Sequence, residues 1–268
     1  MPFLTDDGRP LDELLLAQRP ADGYRFEVRD GFVYDDPVTG RRYRVPAAAA
    51  APPAPSIPPP GPSTPLRERR HGVTDLASVP MWLWSFIASY GRQSAPAVLH
   101  DERSTDAAEL GDRRAALAQR TEDDRVFRTA LREQRVPLLR AWLMWAWVSA
   151  DREREFGGAG GVLLLAQVVV GALLVVGASV AAFWNPWWLL LVPVPALAAL
   201  AWLARGLASL VLLLTYSSAV LTPLIVVHVA SVVPFRLIEA IVEVVTGGDP
   251  GGVIRPTAER PRRDAGAR

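Results

Sequence analysis

The 268 residues include no cysteine and no lysine, so all 29 basic side chains are arginine. The absence of cysteine excludes disulfides, thiolate metal sites and a cysteine nucleophile. The absence of lysine, set beside 24 prolines and many alanines, reads as a GC-rich bacterial coding bias rather than a phosphate-binding design. Net charge is only +1, so no global field attracts nucleic acid. Charge is also missing locally. No charged residue occurs between Phe156 and Ala204, and after Arg205 none occurs before Arg236. Residues 1–10 carry Asp6, Asp7 and Arg9 and no apolar core, so they do not form a signal peptide and the soluble part is expected in the cytoplasm.

The uncharged stretch predicts an all-α transmembrane module over residues 158–235. Spans are expected at 162–184, 187–204 and 207–233, the second spanning or re-entrant because Pro193 and Pro195 interrupt it. Trp184, Trp187 and Trp188 flank a turn at Asn185-Pro186 like interfacial anchors. Residues 235–245 read as an interfacial amphipathic helix, followed by an Arg-rich disordered tail to residue 268. Arg140, Arg152 and Arg154 before the first span and Arg236, Arg255, Arg260, Arg262 and Arg263 after the last pull both ends toward the cytoplasm. An odd number of crossings would separate them. The expected location is the cell membrane, multi-pass, with the bilayer as partner.

The soluble part predicts an α+β fold, with a small N-terminal antiparallel sheet and a helical remainder. Leu11, Leu14 and Leu15 fall on one helical face. Residues 24–28 alternate apolar and charged side chains, as do Phe32-Val33-Tyr34 and Arg42-Tyr43-Arg44-Val45. With turns at Asp30-Gly31 and Gly40, they make a meander within residues 1–46. Residues 47–71 form an Ala/Pro tract unable to join sheet or helix, expected as a disordered insertion ending in the solvated turn of Arg67, Arg69, Arg70 and His71. Residues 72–157 are the helical part. Ser78 with Pro80 opens one helix and Ser94 with Pro96 opens a second. Charged helices follow over 106–120 and 124–135, and Pro137 opens another. Its stripe of Leu139, Trp142, Leu143 and Ala146 reads as core, and residues 151–155 as an exposed charged end.

The run Thr74-Asp75-Leu76-Ala77-Ser78-Val79-Pro80, followed by His100-Asp101, resembles the domain-of-unknown-function family numbered 1353, found in phages, prophages and bacteria. Val45-Pro46, Arg120, Asp124 and Phe127 match its flanking positions, and the resemblance covers residues 24–157. The family usually runs directly from Val-Pro into the signature, whereas here the Ala/Pro tract intervenes. Glu102-Arg103-Ser104 replaces an aromatic pair, and Asp123-Asp124 replaces Ala-Asp. The resemblance implies no known activity.

Asp75, His100, Asp101 and Asp124 are the candidate catalytic residues. Carboxylates and an imidazole can hold a divalent cation that acidifies water, or the imidazole can act as a general base. Against this, His100 and Asp101 are consecutive and diverge by about 100° on a helix. The alternative gives Asp75 and Asp124 capping and pairing roles, Asp124 with Arg120, and His100 a core hydrogen bond. Ser78 lacks the nucleophile elbow and reads as a cap. His228, alone in an apolar span, is a functional candidate by default, but reads rather as bonding a neighbouring helix or snorkelling than as a proton relay. Residues 157–161 are Gly-rich without the Lys-Ser/Thr of a phosphate loop, so no cofactor is assigned and the run reads as a hinge. Two functions compete. One is a membrane-anchored interaction or structural protein with a protein partner and no nucleic acid. The other is a membrane-tethered, metal-dependent hydrolase using Asp75, His100 and Asp101. An open cleft around these side chains would favour the hydrolase; sealed, mutually bonded side chains would favour the first.

Overall fold

The structure is a computed structural model that describes residues 3–18, 26–48, 71–74, 76, 90–248 and 250–254. Six short strands come first: β1 (Phe3–Thr5), β2 (Leu16–Gln18), β3 (Phe26–Val28), β4 (Phe32–Asp35), β5 (Arg42–Val45) and β6 (Val73–Thr74). They form two antiparallel three-stranded sheets, ordered β1-β4-β5 and β2-β3-β6. Helices follow: α1 (Ser94–Glu109), α2 (Arg113–Glu133), α3 (Leu138–Phe156), α4 (Gly158–Ala181), α5 (Val194–Ala199), α6 (Ala208–Thr246) and α7 (Pro250–Ile254). The α+β expectation therefore holds. The expected helix opening at Ser78 and the bulk of the Ala/Pro tract lie outside the described residues.

The β4–β5 hairpin follows its alternation. Phe32, Tyr34, Tyr43 and Val45 are buried while Arg42 and Arg44 face solvent. Its turn is closed by Asp36, which accepts from the Val38 amide and the Thr39 hydroxyl, with Gly40 at φ +68°. The meander is corrected at its first turn: β3 pairs with β2 and β6, not with β4. Beside β4 lies β1 instead, because Phe3 stacks on Phe32 and Tyr34 at 5.8 and 4.8 Å between ring centroids. The stretch from Leu11 is also corrected. It is irregular up to Leu15 and then forms β2, and Leu11, Leu14 and Leu16 pack on the core. Seven residues are too few to nucleate a helix without packing support.

The Ala/Pro tract leaves and returns at one point. The Ala48 amide donates to Val28 O, the Val28 amide donates to Gly72 O, and a Cβ on Gly72 (φ +70°) would come within 2.5 Å of the Ala48 nitrogen. Ala48 and Gly72 thus meet, so chain inserted between them need not displace a strand.

Two helix boundaries differ from the periodicity. The charged helix expected over 106–120 is split, because Gly111 (φ +66°) ends α1 and Asp112 caps α2 by accepting from the Arg114 and Ala115 amides. The C-terminal part of that helix and the one expected over 124–135 merge into α2, which ends where Arg135 turns to φ +58° and the Val136 amide reaches back to Leu131 O. The main core joins both sheets to α1 through Val98 and Leu99 and to α2 through Val126 and Ala130.

The Gly-rich run is a tight corner rather than a hinge. Cβ atoms on Gly157 or Gly161 would collide with the Glu153 carbonyl, so only glycine lets α4 start against the end of α3. Arg113, from the start of α2, donates to Phe156 O at 2.9 Å and secures that end. Three segments are long and apolar enough to cross a membrane: Gly158–Ala181, Pro186–Arg205 and Ala208–Thr246. The middle one is not one regular helix. It runs as a 3-10 turn, α5 and a second 3-10 turn, and the larger 3-10 rise gives it roughly 35 Å despite its prolines. Trp202 Nε1 donates to Gln167 Oε1 at 2.8 Å and ties it to α4. The segment expected as a separate interfacial helix continues α6 instead, which at about 58 Å exceeds a bilayer core of ~30 Å.

Gly161→Ala should destabilise the full chain in detergent by roughly 1–3 kcal/mol, read as a lower thermal midpoint. Gly177→Ala, where a Cβ meets nothing within 4 Å, should leave it unchanged or slightly raised.

Candidate functional site

Each of three helices contributes polar residues one turn apart. On α1 these are His100 and Ser104, on α2 Arg120 and Asp124, on α3 Ser149 and Arg152. All six are buried. His100 Nε2 lies 2.9 Å from Asp124 Oδ1. The other carboxylate oxygen accepts from Ser149 Oγ at 3.0 Å and Arg152 Nη1 at 2.7 Å. Arg152 also donates through Nε and Nη2 to Glu153 Oε1, at 3.1 and 2.9 Å. Ser104 donates to the His100 carbonyl and accepts from Arg120. Arg120 Nη1 stands 3.4 Å from His100 Nε2, but both cannot use that nitrogen. The shorter contact to an obligate acceptor assigns the Nε2 proton to Asp124. Burial pushes the His100 pKa below its ordinary value, against the pull of Asp124, so the ring is neutral at pH 7.

Asp124 therefore pairs with His100 and Arg152, not with Arg120. Arg152 and Glu153 are 3% and 7% exposed, which corrects the reading of 151–155 as a solvated end. The sequence reading gives Ser149 no role and takes Arg152 only as a charge flanking the membrane. Their signal is the spacing, a hydroxyl and a guanidinium one turn apart on α3.

Asp101 points elsewhere, as consecutive helical residues must. Its Oδ2 accepts from Thr74 Oγ1 at 2.5 Å, and that hydroxyl accepts from the Leu76 amide at 2.8 Å. Leu76 holds φ +60°, a strained conformation for a branched residue, and is buried in the main core. The start of the signature run is thus tied to α1 through Thr74 and Asp101. Asp75 and Ser78 lie outside the described residues.

A third group forms where the chain returns from the Ala/Pro tract. His71 Nδ1 is 2.5 Å from Glu102 Oε1 and Nε2 is 3.2 Å from Glu109 Oε1, while Glu102 Oε2 accepts from the Gly72 amide. Glu102, Asp106 and Glu109 recur at helical spacing on α1, a stripe that sequence reasoning missed by taking His71 as a solvated turn. Both ring nitrogens face carboxylates, and Glu102 raises the His71 pKa above its ordinary value. Among the described residues, His71, Glu102 and Asp106 are the set whose ligand atoms lie within 4.8 Å of one another, as a divalent cation requires. Their present bonds are those of an imidazolium held by carboxylates. Next to them Arg103 bridges Asp106 and Asp123, at 2.7 and 3.0 Å. Burial of Asp123 outweighs Arg103 and pushes its carboxyl up to about 7, and its Oδ2 has no partner among the described residues.

Of the candidate catalytic residues that the structure describes, His100 and Asp124 form one group and Asp101 another. His100 and Asp124 sit sealed between helices, and Asp101 sits at the sheet. The comparison with protein families bears on the same stretch. Residues 67–148 match the family model described as a protein of unknown function, DUF1353. The matched span holds His71, Thr74, His100, Asp101, Arg120 and Asp124, and stops just short of Ser149 and Arg152. Nothing matches the chain among the curated proteins or the solved structures compared with it.

The two histidines give pH effects of opposite sign. The raised pKa of His71 contributes stability that is complete below the unfolded value near 6.5 and is lost as pH rises through the folded one. The lowered pKa of His100 contributes stability that is complete above that value and is lost as pH falls. Thermal midpoints of the full chain, followed from pH 5 to 8, should fall less on acidification in His100→Asn than in wild type. In His71→Gln they should fall more.

Proposed function

We propose that the chain is a membrane-anchored protein whose N-terminal part is an interaction or structural domain, with the family's polar residues serving to hold that domain together. The observation that carries this reading is the saturation of Asp124. With no exposure, and bonds from His100, Ser149 and Arg152, it leaves no lone pair facing a cleft for a substrate or an ion. Buried polar networks of this kind specify helix register rather than chemistry. The three apolar segments support a bilayer location. We place the N-terminal domain on the cytoplasmic side of the cell membrane on the strength of Arg140 and Arg154 beside the first segment. Three crossings then carry the C-terminus to the opposite side.

A metal-dependent hydrolase is the second reading. The observation in its favour is the His71, Glu102 and Asp106 group, not His100. A cation there would act as a Lewis acid at the rim of the domain.

Elemental analysis of the full chain purified in detergent separates the two. The first reading expects no stoichiometric divalent cation in wild type, Glu102→Gln or His100→Ala, and a marked loss of thermal stability in His100→Ala. One cation per chain, lost in Glu102→Gln, would replace it with the second.

A further inference from the structure

The apolar stripe of α3, expected to be core, is core at Ala146 and, through Leu143, at the core's edge, but it opens at its N-terminal end. Leu138 and Leu139 are 58% and 67% exposed, and with Trp142 they form one wall of a groove of about 700 Å³. The other wall is α6, through Leu212, Leu213 and Val220 among others. Its polar residues are mostly turned away. Tyr216 donates to Val192 O and Ser217 to Leu214 O, while Ser209 lies exposed at the first turn of α6. The space between the helices therefore offers carbon and almost no hydrogen-bonding partner. An occupant must be apolar along its length.

The groove is continuous with the surface of α6 beyond it, where Val220, Leu224, Val226 and Val227 are exposed on a segment apolar enough to span. On the α3 side stands a cation. Arg128 stacks its guanidinium over Trp142 and Trp145, 4.2 and 5.0 Å from their centroids. Among the described residues it makes no ion pair. Burial and the nearby Arg125 push its pKa down, so an anion beside it would relieve an uncompensated charge.

We propose that the groove between α3 and α6 binds one anionic phospholipid, an acyl chain lying against Leu139, Trp142 and Leu213 and the phosphate pairing with Arg128. The inference rests on the membrane reading above but goes beyond it. It makes α3, a helix of the soluble domain, part of a specific lipid site that fastens the domain to the bilayer surface. Arginine suits the headgroup because its planar fork matches a phosphate while its face remains on the indole.

The test uses the full chain reconstituted in phosphatidylcholine vesicles containing a minor share of phosphatidylglycerol with a diazirine in its acyl chain. After extraction in mild detergent, bound lipid is counted by mass spectrometry and cross-links are mapped. About one retained phosphatidylglycerol per chain is expected, cross-linked to α3 near Leu139 and Trp142. Arg128→Gln should lower the preference for phosphatidylglycerol over phosphatidylcholine about tenfold, the scale of one charge-assisted contact. Ser209→Trp, at an exposed position, should block retention of either lipid. If that variant does not fold, the wild-type map decides: labels on α4 and α6 but none on α3 overturn the proposal. So do equal retention in both variants and a dimer sensitive to Ser209→Trp that carries no lipid. A chain that stays in solution without detergent overturns the membrane reading as well. One that needs detergent and carries no phosphatidylglycerol overturns the lipid site alone.

Discussion

A carboxylate removed from water must find donors for its lone pairs, and Asp124 finds them on two other helices. Its partners fix the azimuth of α1 through His100 and of α3 through Ser149 and Arg152. Removing any one leaves an unpaired buried group, at a cost of about 3–5 kcal/mol if a charge is stranded. The rest of the molecule depends on this register. With α1 and α2 so placed, Val98, Leu99, Val126 and Ala130 meet the two sheets; with α3 so placed, Ala146 and Ala150 meet the anchor. The same helix thus belongs to a polar junction on one face and to an apolar bundle on another.

The junction between domain and anchor is equally constrained. Glycine at 157 and 161 lets α4 begin within van der Waals reach of the end of α3, and Arg113 holds the exposed carbonyls there. A corner of this kind transmits position, which a flexible linker would not. The domain is therefore held against the helices that follow it, and the exposed leucines of α3 end up beside α6 rather than in solvent at large. That proximity gives the lipid proposal its physical sense.

Much of this was legible in residue order. The hairpin of β4 and β5, the starts of α1 at Ser94 and α3 after Pro137, and the apolar segments each follow from local pattern. What local pattern cannot carry is which elements meet. β1 displaced β3 beside β4 because of aromatic stacking between residues 29 to 31 positions apart (Phe3 with Phe32 and Tyr34). Likewise the divergence of His100 and Asp101 is readable from the helix repeat, and Asp124 from the motif, but not its partner, which the sequence suggests is Arg120. Arg120 lies only four residues away in sequence and reads as a local partner, whereas the tertiary approach of α3 supplies Arg152 instead. The stripe of α3 is core only at Ala146 and Leu143, while Leu139 stays open, for the converse reason: periodicity identifies an apolar face, not what covers it. Gly111 and Asp112 were visible as helix punctuation, yet charge patterning alone ran through them.

The central claim is that Asp124 is a structural junction between α2 and α3. A double-mutant cycle on the full chain, with Asp124→Asn, Arg152→Met and the pair, measures it through unfolding free energy. Strong coupling is predicted, of about 2–3 kcal/mol, because each single change strands a buried partner that the pair removes. Additive effects near zero coupling would contradict the account and reopen Asp124 as a residue held ready for chemistry.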